Sequence, residues 1–220
     1  MKGAFDKMDN KDLWKLEFLS IYKKNVINRP GSEEVLKWLE TSDFFDAPAS
    51  TKYHLAVPGG LCRHSINVYA RLKGLLQYAY GDNCPYSEET IAIVALLHDV
   101  CKVDCYRPTW KNQKTYDLEK VEAAERWQVK RDAGGAFIWE SVAGYEYDEK
   151  FIYGHGEKSV YLICNLMDLS NEEAVAIRFH MGPYQDGEKQ NAGKAFAQFP
   201  LAFWLHMADS AATFIDEVDE

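Results

Sequence analysis

An apolar run that ends in ionisable groups constrains this chain more than any other feature. Residues 91–97, IAIVALL, are unbroken hydrocarbon, and His98, Asp99 and Lys102 follow at once. A helix that is apolar all round is covered all round, so side chains at its end point into protein rather than into water. Ionised groups in such a place need partners. The stretch ALLHDVCK therefore reads as a buried helix that delivers polar groups into a central site.

At seven residues, the run is far shorter than the roughly 20 that cross a bilayer. No membrane span is expected. The chain has 220 residues, 47% of them hydrophobic, enough for one substantial core, so a single domain over 1–220 is expected. Five cysteines without a CxxC pair, and without an evident secretory leader, point to a reducing, cytoplasmic setting. Lys and Arg number 25 against 34 Asp and Glu, a net charge of −9, which argues against a long nucleic-acid partner. A nucleotide, another small phosphorylated molecule or a short oligonucleotide stays open, because a bound metal can offset the local charge.

Residues 10–28 read as an amphipathic helix with Leu13, Leu16, Leu19 and Ile21 or Val26 on its apolar side, stopped by Arg29-Pro30-Gly31. Ser32-Glu33-Glu34 opens a short helix to about Glu40, and together these helices form an N-terminal extension, 1–47, packed on the rest. Residues 42–60 lack a period and read as an ordered loop or lid. The helical period returns over 61–80, with His64 in the stripe of Leu61, Val68, Leu72, Leu75 and Ala79, and Ser87-Glu88-Glu89 opens the central helix.

Residues 103–115 are too irregular for helix, 116–132 read as helix, and the aromatic–charged alternation of 136–154 suggests a two-stranded hairpin turning at Asp148-Glu149-Lys150. Helices are expected over 156–168, over 170–180 behind a Ser170–Glu173 capping box, and over 200–217, with 184–194 a mobile polar connection. The expected fold is all-α, a compact helical bundle with a small β-hairpin insertion. Tyr and Trp are plentiful but assign no oligomeric state.

Imidazole and carboxylate form the mixed N/O set that suits divalent first-row metals, and unpaired cysteines argue against a structural zinc site. His98 and Asp99, about 100° apart on a regular helix, serve one centre if Asp99 uses its two oxygens to bridge two ions and the helix end adjusts. The adjacent pair suits a dinuclear set better than a mononuclear one.

Several phrases carry a resemblance. LLHDVCK resembles the LLHDIGK of the HD-domain superfamily, GGLCRHSINVYARL resembles its GGL-x-x-H helix, and LHMAD at 205–209 resembles its last aspartate helix. Coverage is about 54–215, the metal-binding helical core. The resemblance implies an all-helical HD-type fold with His64, His98, Asp99 and Asp209 at one metal. It also implies that His155 and His180 complete the dinuclear branch, with one or two divalent ions among Fe, Mn, Co, Ni and Zn. Cys101 stands where the resembling phrase has glycine; it reads as a packing residue rather than a ligand.

Lys102, one turn from His98, matches a lysine that contacts substrate or the leaving oxygen, and it is a catalytic candidate beside Asp99. Arg63 is a candidate to orient a phosphate, and Asp104 and Arg107 are phosphate-pocket or hydrogen-bond candidates. His206 is a candidate to contact substrate or orient Asp209, against a competing reading as packing; His54 reads as loop packing or lid contact. The implied activity is phosphohydrolysis of a small phosphoester or nucleotide by a metal-bound hydroxide. The same residues also suit a mixed-valence di-iron oxygenase, or a metal-stabilised nucleotide-binding regulatory module.

Overall fold

The computed structural model describes residues 9–52, 54–184 and 189–218. It is a mostly helical bundle with a small antiparallel sheet inserted in it. The helix from the apolar run, α4 (Glu88–Leu97), is capped by the Ser87 hydroxyl, which accepts from the Thr90 amide. Each residue from Ile91 to Leu97 is at most 4% exposed, so α4 is the axis of the core. Around it lie α1 (Asn10–Asn25), α3 (Gly60–Tyr80) and α7 (Asn171–Arg178), while α9 (Pro200–Ala211) packs on α3 and α7. The short α2 (Ser32–Thr41) adds Val35, Leu36 and Leu39 to the same core. No helix among the described residues is long and apolar enough to cross a membrane.

The expected apolar face of α1 is only partly its buried face. Leu19 and Ile21 pack against the core and Val26, just past the helix, is fully buried, but Leu13 and Leu16 are about half exposed and Phe18 and Tyr22 are fully buried instead. Phe18 makes edge contacts with Phe44 and Phe45, and Tyr22 donates to the Ser32 carbonyl at 2.9 Å. Two aromatic rings four residues apart bury more area than the leucines they displace, so they set the rotation of the helix.

The insertion is three-stranded, in the order β1-β3-β2. β1 (Tyr106–Thr115) pairs along its length with β3 (Gly135–Tyr147), and β2 (Lys130–Asp132) forms a tight hairpin with the start of β3. Residues 136–147, expected to begin a hairpin, thus belong to one strand, and its partner is the stretch 106–115 that lacks helical period. Of the helix expected over 116–132 only α5 (Leu118–Ala123) forms. Both faces of β1 are largely exposed, so no inside–outside alternation marks it in the sequence. α6 (His155–Cys164) follows the sheet, and α8 (Lys189–Gln198) occupies part of the expected mobile connection; residues 185–188 of that connection lie outside the described residues.

The capping box of α7 forms, with Ser170 and Glu173 satisfying each other's backbone amides. Glu173 is fully buried and also anchors the start of the bundle: Arg29 reaches its two oxygens at 2.7 and 3.0 Å and grips Glu89 of α4 as well. One guanidinium thereby ties the α1–α2 corner to the first turns of α4 and α7, the two helices that lead to the site. Burial disfavours the Glu173 carboxylate, but Arg29 outweighs it and holds its pKa below the usual value of 4.5. The stability from this pair is therefore complete above that pH and lost as pH falls through the lowered folded value. Arg29→Ala is expected to cost about 3–5 kcal/mol in urea unfolding at pH 7, because it strands a buried carboxylate, and to flatten the acid limb of stability against pH. An unchanged midpoint would remove Arg29 from this role.

Candidate metal centre

Helix ends place most of the polar groups. α4 stops at Leu97, and Asp99 takes φ −106°, ψ 15°, outside the helical well, before a 3-10 turn over Val100–Lys102. This loosening lets adjacent side chains converge. In the tight turn residues three apart eclipse, which sets the Lys102 ammonium 2.7 Å from Asp99 Oδ2. His155 opens α6, and His180 follows α7 by two residues. These ends come together because Gly156 lies against the Arg178 carbonyl, where an added Cβ would sit at 2.2 Å. At Gly60 the loop closes on α3 as tightly, with a Cβ meeting the Leu55 carbonyl at 2.1 Å. His64, one turn further along α3, faces inward with Val68 and Leu72.

The six groups expected as ligands, His64, His98, Asp99, His155, His180 and Asp209, are brought together, and Asp99 stands between two sets. Its Oδ1 lies 2.8 Å from His155 Nε2 and 3.5 Å from His180 Nε2. Its Oδ2 lies 3.6 Å from both His64 Nε2 and His98 Nε2. Asp209 Oδ1 is 3.2 Å from His64 Nε2, and the His64 and His98 Nε2 atoms are 3.3 Å apart. His64, His98, Asp99 and His180 are at most 3% exposed.

Contacts behind the rings settle which nitrogens face the centre. His98 Nδ1 donates to the Ala95 carbonyl at 2.8 Å and His180 Nδ1 to the Ile177 carbonyl at 2.6 Å. A carbonyl only accepts, so Nδ1 carries a proton in both rings and Nε2 is the nitrogen left facing the centre. The Cys101 sulfur lies 3.4 Å from His155 Nδ1, so this residue touches a candidate ligand as well as packing. Burial raises the pKa of its thiol, which stays protonated.

Burial pushes His98 down to about 4 and also lowers His155, keeping both neutral at pH 7. Burial acts the same way on His64, but hydrogen bonds to Asp209 and Glu217 outweigh it and raise its pKa to about 10. His180 is raised against burial by Asp99. Asp99 and Asp209 are held below the usual carboxylate range despite burial, Asp99 first by Lys102 and then by His98, Asp209 first by His64. The carboxylates thus stay anionic among imidazoles, the arrangement a cation completes. Overlapping sets of these residues lie close enough to share an ion: His64, His98 and Asp209; His98, Asp99 and His180; Asp99, Cys101 and His155. The donor set fits one or two divalent ions.

A cavity of about 250 Å³ opens onto this cluster, and Lys102 is the only lysine or arginine among its described lining residues. His206 also lines it, with Nδ1 donating to the His180 carbonyl at 2.7 Å, so it braces the turn that carries His180. The three other expected phosphate contacts are not brought there. Arg63 leaves α3 on the side facing α1 and lies 3.7 Å from Glu17, because the inward side at that turn belongs to His64. Asp104 is exposed at φ 58°, beyond the turn, and the exposed Arg107 at the start of β1 pairs with half-buried Asp148.

Two residues in the cluster lay outside the sequence expectations for the site. Glu217 is 1% exposed and contacts His64 Nδ1, and His54 lines the cavity and reaches Glu217 at 2.5 Å. The available signal was the acidic Glu217 two helical turns beyond Asp209 in a largely apolar segment.

The mostly helical fold and its clustered ligands are consistent with an HD-domain-like dinuclear metal site. No family model matches the chain, and neither the curated proteins nor the solved structures gave a match. The cluster itself therefore carries the functional argument: it is a metal-binding site of the kind that supports catalysis.

Proposed function

We propose that this protein is a divalent-metal-dependent phosphohydrolase acting on a small phosphoester, with nucleotides the preferred class. The observation that carries this reading is the division of Asp99, one oxygen toward His155 and His180 and the other toward His64 and His98, with a protonated lysine alongside. His64, His98 and Asp209 would hold one ion, His155 and His180 the other, and Asp99 both. When bound, such a pair supplies an activated water and draws charge from phosphoryl oxygens.

Each residue around the ions has a separate task. Lys102 donates to the Ala49 carbonyl at 2.9 Å as well as pairing with Asp99, so its charge is fixed at the cavity wall before substrate arrives. Tyr184 and Phe214 line the same cavity yet are 73% and 71% exposed. Two aromatic faces at the rim of a polar floor suit a ligand with a charged end and a flat end, as a nucleotide has.

The test is anaerobic phosphate release by protein loaded with manganese(II) or iron(II), using nucleoside monophosphates and ribose 5-phosphate. Release without oxygen uptake, with a lower KM for the base-bearing substrates, is expected. Oxygen-dependent turnover would replace this reading with an oxygenase. Nucleotide binding without turnover of either phosphate would make the protein a binding module.

A further inference from the structure

Glu217 lies just past a π-helical turn, Ala212–Asp216, that continues α9. On an uninterrupted α-helix, positions 209 and 217 would be offset by about 80°. The wider turn takes up rotation, and both carboxylates face α3. Each Glu217 oxygen lies 3.1 Å from His64 Nδ1, His54 Nδ1 lies at 2.5 Å, and the Asn67 amide donates at 2.9 Å. Three elements, α3, the 42–59 loop and the end of α9, therefore meet on one buried carboxylate.

His64 needs such a partner for a local reason. His98 and His180 each lie just past a helix and anchor Nδ1 on the carbonyl three residues back. His64 lies inside α3, where upstream carbonyls serve the helix, and the Leu61 carbonyl also accepts the Ser65 hydroxyl at 3.1 Å. Its Nδ1 partner comes instead from another element, the end of the α9 segment.

We infer that Glu217 is a positioning residue for the His64 side of the metal pair. By accepting the Nδ1 proton it directs Nε2 toward Asp99, Asp209 and His98 and makes the ring a stronger donor to an ion; through His54 it also ties the loop across the cavity. This inference rests on the dinuclear reading, and it assigns a task to a residue that lies beyond the HD-like words.

The test is equilibrium dialysis of the metal-stripped full chain against manganese(II), and against iron(II) without oxygen. Wild type is expected to take two ions, and Glu217→Ala to weaken one of them by about 10–100-fold while the other binds as before. Glu217→Gln, which keeps a single acceptor, is expected to fall between them, and it carries the test if the alanine variant does not fold. In a His64→Ala background, Glu217→Ala is expected to add no further loss, because both changes act on one ligand. Unchanged affinity for both ions, or equal weakening of both together with a lowered apo melting temperature, would overturn the positioning role and leave the dinuclear reading standing. A wild-type chain that takes up neither metal would overturn both.

Discussion

Asp99→Asn, purified after metal-replete expression, is expected to keep less than about a tenth of the wild-type metal and to lose turnover by about 10³-fold or more, the scale of several kcal/mol of lost transition-state stabilisation. The cause is geometric. Each oxygen of Asp99 faces a different pair of imidazoles, and an amide offers one oxygen and a nitrogen that cannot act as an anionic ligand. On the proposed dinuclear reading the lesion falls on both ions, in contrast to His64→Ala or His180→Ala, which would each remove one ligand from one side. The substitution also leaves the Lys102 ammonium without its anionic partner, so the melting temperature of the metal-free variant is needed beside its metal content. Wild-type metal content and rate in a folded Asp99→Asn protein would remove the bridge from the account.

Lys102→Met separates charge from coordination. The methionine keeps much of the buried stem but removes the ammonium, and it has no means of changing the donor count around the ions. Metal content is expected to stay near wild type while kcat falls by about 10²–10³-fold, the usual loss when a fixed electrostatic contact to developing charge is deleted. Burial disfavours the ammonium, but Asp99 outweighs it and raises the pKa above the ordinary lysine value of 10.5. The group is thus charged across the neutral range, and the pH–rate profile of the wild type is not expected to show a lysine limb there. Loss of metal in Lys102→Met to the extent seen in Asp99→Asn would make the lysine a prop for the aspartate rather than a contact for substrate.

The parts of the site that were legible in the sequence share one property, namely that local chain geometry places them. The run before His98 announces its own burial, Ser87 and Ser170 announce helix starts, and His64 falls on the same stripe as Val68 and Leu72. The sheet was poorly legible because β1 is solvated on both faces and leaves no alternation to read. The face of α1 was partly misread for the opposite reason, an excess of apolar residues, among which Phe18 and Tyr22 prevail by area.

By itself the sequence determined the inward face of α3 and the starts of α4 and α7, because a period of 3.6 residues and an unsatisfied terminal amide act over a few residues. The HD-like words also held four of the groups that converge, His64, His98, Asp99 and Asp209, and the resemblance they carry implied the other two, His155 and His180. The tertiary structure alone decided that Asp99 splits its oxygens between two pairs of histidines, that Arg63 faces Glu17 rather than the cavity, and that Glu217 closes behind His64. Each of these contacts joins elements distant along the chain. Their relative placement follows from the summed burial of the whole core, a quantity no local pattern contains.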